Sequence, residues 1–364
     1  MDPLTHTLAG ATLAQTRLGR GTLATVTCVV GANLPDVDAA TYFVDSDLAL
    51  GVRRGWTHGA LAMAVLPLLL AVIMSLIDRV RCQRLATATP VPTIRFVLLS
   101  YVAVLTHPAL DWLNTYGVRL LMPFDDRWFY GDAVFIIDPW LWLLLATTVV
   151  LAHSSTRMLV IGWIGLGLVA LTLVTGDPRA PTLAKILFVL GLATICGLRA
   201  WGGFQQRLTA VATACVFLAT GYATAMSASS RLARLQVETW ARARGVEPRQ
   251  VMMSPVPGDP FRRRVLMADD RHYHHLVFDW RAGDRVQPTE SHILIGHDHP
   301  ATAAALTAKH VWGLSTWTRF PRFDVQPRED GYRVTIADLR FGSAVVDVDR
   351  NLVPHPPATS ERQP

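Results

Sequence analysis

The stretch Ser100–Gly117, SYVAVLTHPALDWLNTYG, begins as an apolar helix and ends with His107 and Asp111. Four residues apart on a helix, these side chains share a face about one turn from each other. An imidazole and a carboxylate so placed are half of a metal site. They stand near the end of a hydrophobic span, where ionisable groups are costly and mark function. H-x-x-x-D alone is a weak motif. Its weight comes from three other stretches that converge on the same place.

The chain around it is built for a bilayer. Of 364 residues, 51% are hydrophobic and only 17% charged, and the mean hydropathy is +0.29. A soluble domain carries more charge. The apolar residues gather into runs at 59–77, 94–113, 134–152, 158–175, 182–198 and 208–228, each long enough to cross a membrane. Two weaker helices, 4–17 and 21–35, precede them and at ~1.5 Å per residue are too short to span; Pro35 ends the second. After residue 229 the pattern changes. RLARLQVETWARARG reads as an amphipathic helix, and residues 250–350 alternate polar and apolar with period two, the signature of antiparallel strands. The expected fold is therefore a polytopic α-helical membrane domain (1–229; six full spans plus two short helices), a small β-rich extramembrane domain (230–352) and a Pro-rich disordered tail (353–364). The start, MDPLTHTLAG, lacks a basic region and reads as no cleavable signal peptide. Cys28, Cys82, Cys196 and Cys215 form no C-x-x-C pair and read as small core residues.

Arginines set the topology. Arg79, Arg81, Arg84 and Arg95 flank one loop, Arg157 lies in a second, and Arg199 and Arg207 lie in a third. With Arg17 and Arg20 they fall on one side, which the positive-inside rule makes cytoplasmic. The net charge of +6 thus reflects membrane topology, and no nucleic-acid partner is expected. The opposite, outer side receives His6 of DPLTHTLAG, Asp36 and Asp38 of NLPDVD, His58 of RRGWTHG, and His107 with Asp111. Arg53 and Arg54 run against the count on that side. Histidines and carboxylates gathered at one depth suit Zn²⁺, Mn²⁺ or Fe²⁺. On the irregular backbone after Pro35, Asp36 and Asp38 can bind one ion or split between two.

HTLAG, NLPDVD, RRGWTHG and LTHPALDWLNTYG, followed by WFYGDAVFIIDPWLW, resemble the YdjM-like family of membrane-bound metal-dependent hydrolases. The order His, Asp, His, His-x-x-x-Asp is also similar to the zinc-dependent phospholipase C and single-strand nuclease superfamily. The resemblance covers about residues 1–150. It implies His6, Asp36 or Asp38, His58, His107 and Asp111 as metal ligands, and phosphoester hydrolysis by metal-activated water in the bacterial inner membrane. The phospholipase C pattern continues with two more histidines and a glutamate. Here the next histidine is His153, on the other side of the membrane, so one or two ions are expected in place of three.

Downstream, 122–139 (MPFDDRWFYGDAVFIIDP) places acids and an arginine at the outer interface. Asp132 and Asp138 are candidates for supporting the histidines or for a general base. Arg53, Arg54 and Arg127 are candidates for holding a phosphate; interfacial anchoring is the other reading. His272, His274, His275, His292, His297 and His299 read as surface histidines of the β domain. No G-x-S-x-G, P-loop or G-x-G-x-x-G occurs. The expected activity is hydrolysis of a phosphoester in a lipid or lipid-linked substrate arriving from the bilayer. The alternatives are a metal-ion transporter, whose ligands belong nearer mid-membrane, and a scaffold with a structural metal.

Overall fold

Asp2 starts the first helix, α1 (Pro3–Gln15): its carboxylate accepts the Thr5 N–H at 3.0 Å, and Pro3 occupies the first turn. The computed structural model describes residues 1–19 and 21–357; Arg20, counted above for topology, and the last seven residues of the tail lie outside them. α2 (Ala24–Asn33) packs on α1 and on α5 (Thr93–Trp112) through small residues. A Cβ at Gly10 would collide with the Cys28 carbonyl, and one at Gly31 would stand 2.9 Å from Ala103 Cβ. Close approach through small side chains is how helices associate where lipid removes the hydrophobic drive. At Pro35 the chain tightens into a 3-10 helix, Leu34–Phe43, then α3 (Ser46–Val52) and α4 (Ala60–Arg84).

Among the described residues, five helices are long and apolar enough to cross a membrane: α4, α5, α7 (Arg157–Gly176), α8 (Thr182–Trp201) and α9 (Leu208–Arg242). The sixth apolar helix, α6 (Pro139–Ala152), is shorter than the 134–152 expected for it. Asp138 caps it by accepting the N–H groups of Trp140 and Leu141, so residues 134–138 stay outside. Its 14 residues span ~21 Å, less than a hydrocarbon core of ~30 Å. The amphipathic segment expected near 230–244 is not a separate helix. It continues the last span, making α9 35 residues long.

That continuation carries the β strands. β1 (Gln250–Val256), β2 (Asp259–Ala268), β3 (His272–Asp279) and β4 (Val286–Leu294) form one antiparallel meander. α10 (Pro300–Leu306) and α11 (Trp312–Trp317) lead to a second, β5 (Pro321–Arg328), β6 (Gly331–Asp338), β7 (Ser343–Asp349) and β8 (Pro354–His355). β8 lies within the stretch expected to be tail. The period-two pattern sorts β1 between two cores. Val251 and Met253 meet Ala233, Val237 and Ala241 of α9, whereas Met252 faces Trp317, Phe320 and Ile336.

Asp132 joins the two halves of the chain. Fully buried, with φ of 49°, it takes both guanidinium nitrogens of Arg319 at 2.8 Å and Arg234 at 3.1 Å. Its carbonyl accepts from Ser230 and from Arg263, whose burial pushes the guanidinium down to about 10. A second tie is Asp47 of α3, which accepts the N–H groups of Gly313 and Leu314 in α11. Removing one member of a buried ion pair costs about 3–5 kcal/mol. Asp132→Ala is therefore expected to lower the melting temperature of the detergent-solubilised protein clearly and to expose 230–357 to protease. An unchanged melt would show that Asp132 does not hold the halves together.

Candidate metal centre

Each group that converges here comes from a different structural device. α5 sets His107 and Asp111 one turn apart on a single face, both fully buried. Pro35 starts the 3-10 turn that carries Asp36. His58 sits in the turns just before α4, and α1 contributes His6. Asp36, His58, His107 and Asp111 each offer a ligand atom, all within 4.8 Å of one another.

The spacing is that of a coordination shell. His58 Nε2 lies 3.3 Å and His107 Nε2 3.4 Å from Asp111 Oδ2. The same nitrogens lie 3.8 and 3.6 Å from Asp36 Oδ1. Donors ~2.05 Å from a tetrahedral ion stand ~3.3 Å apart. His58 Nε2, His107 Nε2 and Asp111 Oδ2 are moreover buried without a hydrogen-bond partner. Buried polar atoms are nearly always paired, so three orphans facing one point fit a cation there.

The surrounding groups fix what each ligand presents. His107 Nδ1 meets the Ala32 carbonyl at 2.6 Å, which makes Nδ1 the protonated nitrogen and turns the Nε2 lone pair inward. His58 is set by a relay: Thr57 Oγ1 donates to Asp38 Oδ2 at 2.9 Å and lies 2.9 Å from His58 Nδ1, from which it accepts. Asp111 is divided between its oxygens. Oδ1 takes Arg54 at 2.9 Å and the Met1 amine; Oδ2 is left to the histidines. Arg53 donates to Asp36 at 2.7 Å and lies 3.6 Å from Asp38.

Of the expected ligands, the four-donor group thus includes Asp36, His58, His107 and Asp111. Asp38 is adjacent and serves the relay. It also accepts the backbone N–H of Arg54, a residue held at φ 53°. His6 stacks on His107 with ring centres 3.7 Å apart, and its Nε2 is 3.3 Å from Asp111 Oδ1. Arg54 is buried, with further bonds to Asn114 and the Gly117 carbonyl and its guanidinium over Tyr116. The other three candidates have partners elsewhere: Asp132 at the junction described above, Asp138 on the α6 cap and Tyr222, and the exposed Arg127 on Asp125. Thr57, Asn114 and the Ala32 carbonyl were not expected. Thr57 had one visible signal, its place beside His58.

Only Asp36 among the four reaches the surface, its side chain 16% exposed against 0% for the others. Val37, next to Asp36 in the chain, and Trp56, two residues before His58, are exposed and apolar.

No curated protein and no solved structure matches the chain. The model of the YdjM inner membrane protein family matches residues 1–179, which hold every member of the cluster. Over residues 1–179 this chain is thus similar to the YdjM inner membrane protein family, a family of metal-dependent hydrolases.

Proposed function

We propose that the chain is a membrane-bound hydrolase that cleaves a phosphoester in a lipid or lipid-linked substrate. The observation that carries the reading is the set of buried, unpartnered donor atoms converging on one point. Asp36, His58, His107 and Asp111 hold one divalent ion, zinc being the first choice for two imidazoles and two carboxylates. His6, with both ring nitrogens unpartnered, is the additional ligand. When bound, such an ion polarises the scissile phosphoryl oxygens and lowers the pKa of water toward neutrality.

The protein's own part is positioning. The Thr57–Asp38 relay and the Ala32 carbonyl keep both Nε2 lone pairs turned inward; Arg54 clamps Asp111 Oδ1 and leaves Oδ2 to the histidines. Asp36 forms the open edge, and the exposed apolar side chains beside the site residues in the chain, Val37 and Trp56, support entry from the lipid side. The centre sits at span ends, which favours an enzyme over a transporter with a mid-membrane site. Arg53 and Arg54, held by Asp36, Asp38 and Asp111, are two charges against the larger number in the other loops. The remaining arginine loops then support a cytoplasmic location for the opposite end and an extracytoplasmic one for the centre.

Elemental analysis of the purified chain is expected to give about one zinc ion per molecule, with no zinc in His107→Ala. A metal-free wild type after reconstitution would sink the reading. In mixed micelles containing phospholipids and lipid-linked phosphoesters, the wild type should release product, lose activity to a chelator and regain it with Zn²⁺. A metal-loaded protein inert on every phosphoester would retain the metal centre and reject the substrate class. Thr57→Val keeps the four ligands and breaks the relay, so a loss of about 10–100-fold in activity or metal affinity is expected. Wild-type behaviour would mean that the relay does not orient His58.

A further inference from the structure

The β domain holds a second convergence of imidazoles, independent of the centre above. His274 of β3 and His292 of β4 are directly opposite each other in the antiparallel ladder. Their Nδ1 atoms are 2.9 Å apart, with ring centres at 4.7 Å. The other nitrogen of His274 is 2.7 Å from Asp269 Oδ2. That carboxylate anchors the Nε2–H tautomer and leaves the Nδ1 lone pair free, as carboxylates do behind metal-bound imidazoles. His272 shares the face two residues along β3, its ring centre 6.5 Å from that of His274. Beside the pair the ladder slips: His274 faces His292, yet Leu276 faces Pro288. The extra residues in β4 form a bulge, a device that re-aims neighbouring side chains.

The spacing of the hydrogen-bonded pair also suits one coordination geometry better than another. Two imidazoles ~2.05 Å from one ion at a right angle have nitrogens ~2.9 Å and ring centres ~4.5 Å apart; at the tetrahedral angle the figures are ~3.3 and ~5.2 Å. The observed 2.9 and 4.7 Å lie near the first pair. Right-angle placement belongs to tetragonal Cu²⁺ and Ni²⁺, and copper binds nitrogen donors the more tightly. His292 is exposed at the surface, whereas His274 is mostly shielded, its side chain 12% exposed. An ion would therefore arrive from solvent and displace the single proton shared between the two rings.

We propose that His274 and His292, with Asp269 orienting the former, form a tetragonal binding site for a divalent ion of the copper class. Waters and, after a side-chain rotation, His272 fill its remaining positions. The test uses the full-length, untagged chain in detergent, stripped with chelator and titrated with Cu²⁺. His107→Ala removes the first centre from the readout. In that background we expect one equivalent of Cu²⁺ to survive desalting, with an electron paramagnetic resonance spectrum showing hyperfine coupling to two nitrogens. Adding His292→Ala, a surface change that leaves the fold in place, should remove that equivalent and the coupling; adding Asp269→Asn should weaken the affinity. An equal copper content with and without His292→Ala overturns the proposal. Because the background lacks His107, that outcome leaves the proposed hydrolase centre untouched, and the metal analysis of the wild type leaves this site untouched.

Discussion

Asp111 is the constraint on which the centre depends. A carboxylate fully out of solvent costs several kcal/mol to keep ionised, and only close cationic partners offset it. Arg54 supplies one, from a backbone that turns left-handed. That conformation costs about 1–2 kcal/mol for a residue with a Cβ. It is held from both sides: Asp38 accepts the Arg54 N–H, and the Arg54 carbonyl accepts from Arg119 at 2.8 Å. Asp38 is also the end of the relay through Thr57 to His58. One short loop thus delivers the clamp on Asp111 and the orientation of His58, and the two cannot be set independently.

The C-terminal half leans on the same region. Asp47 follows the 3-10 turn that bears Asp36 and caps α11, while Trp312 fills the space beside Gly51. From the other side, the α9 extension and Arg263 on the Asp132 carbonyl hold the first sheet, and the Asp132–Arg319 pair holds the entry to the second, against the loop that follows α5. The strands are therefore braced at two places around the centre's end of the bundle. Their positions and those of Asp36 and Asp111 belong to one packed unit.

Much of this was legible in the chain, for identifiable reasons. Long apolar runs report helices because lipid admits little else. The ligand motifs could be placed at one end because the arginine loops lie at the other. What the sequence hid was competition for the same groups. Asp138 lies inside an apolar run, but its carboxylate spends itself on the α6 cap and shortens the helix. Asp132 looked like a neighbour of the motif. Its partners, Arg234, Arg263 and Arg319, lie about 100 residues or more away along the chain, beyond any local pattern. The helical phase of 208–242 was visible, yet the change from apolar to amphipathic composition hid that α9 is one helix.

Buried polar atoms without partners cost about 1–3 kcal/mol each, a large share of a typical folding free energy of 5–15 kcal/mol. His58 Nε2, His107 Nε2 and Asp111 Oδ2 bear that cost together. The fold cannot relieve it by collapse. α1 and α2 are already in backbone contact at Gly10, and α2 meets α5 at Gly31. Nor can the ligands rotate to find partners among themselves, since His107 Nδ1 is tied to Ala32 and Asp111 Oδ1 to Arg54. Donor atoms fixed by packing and by their other hydrogen bonds would meet a cation without rearranging, the cost of placing them having been met when the chain folds. That is what preorganisation means for a metal site.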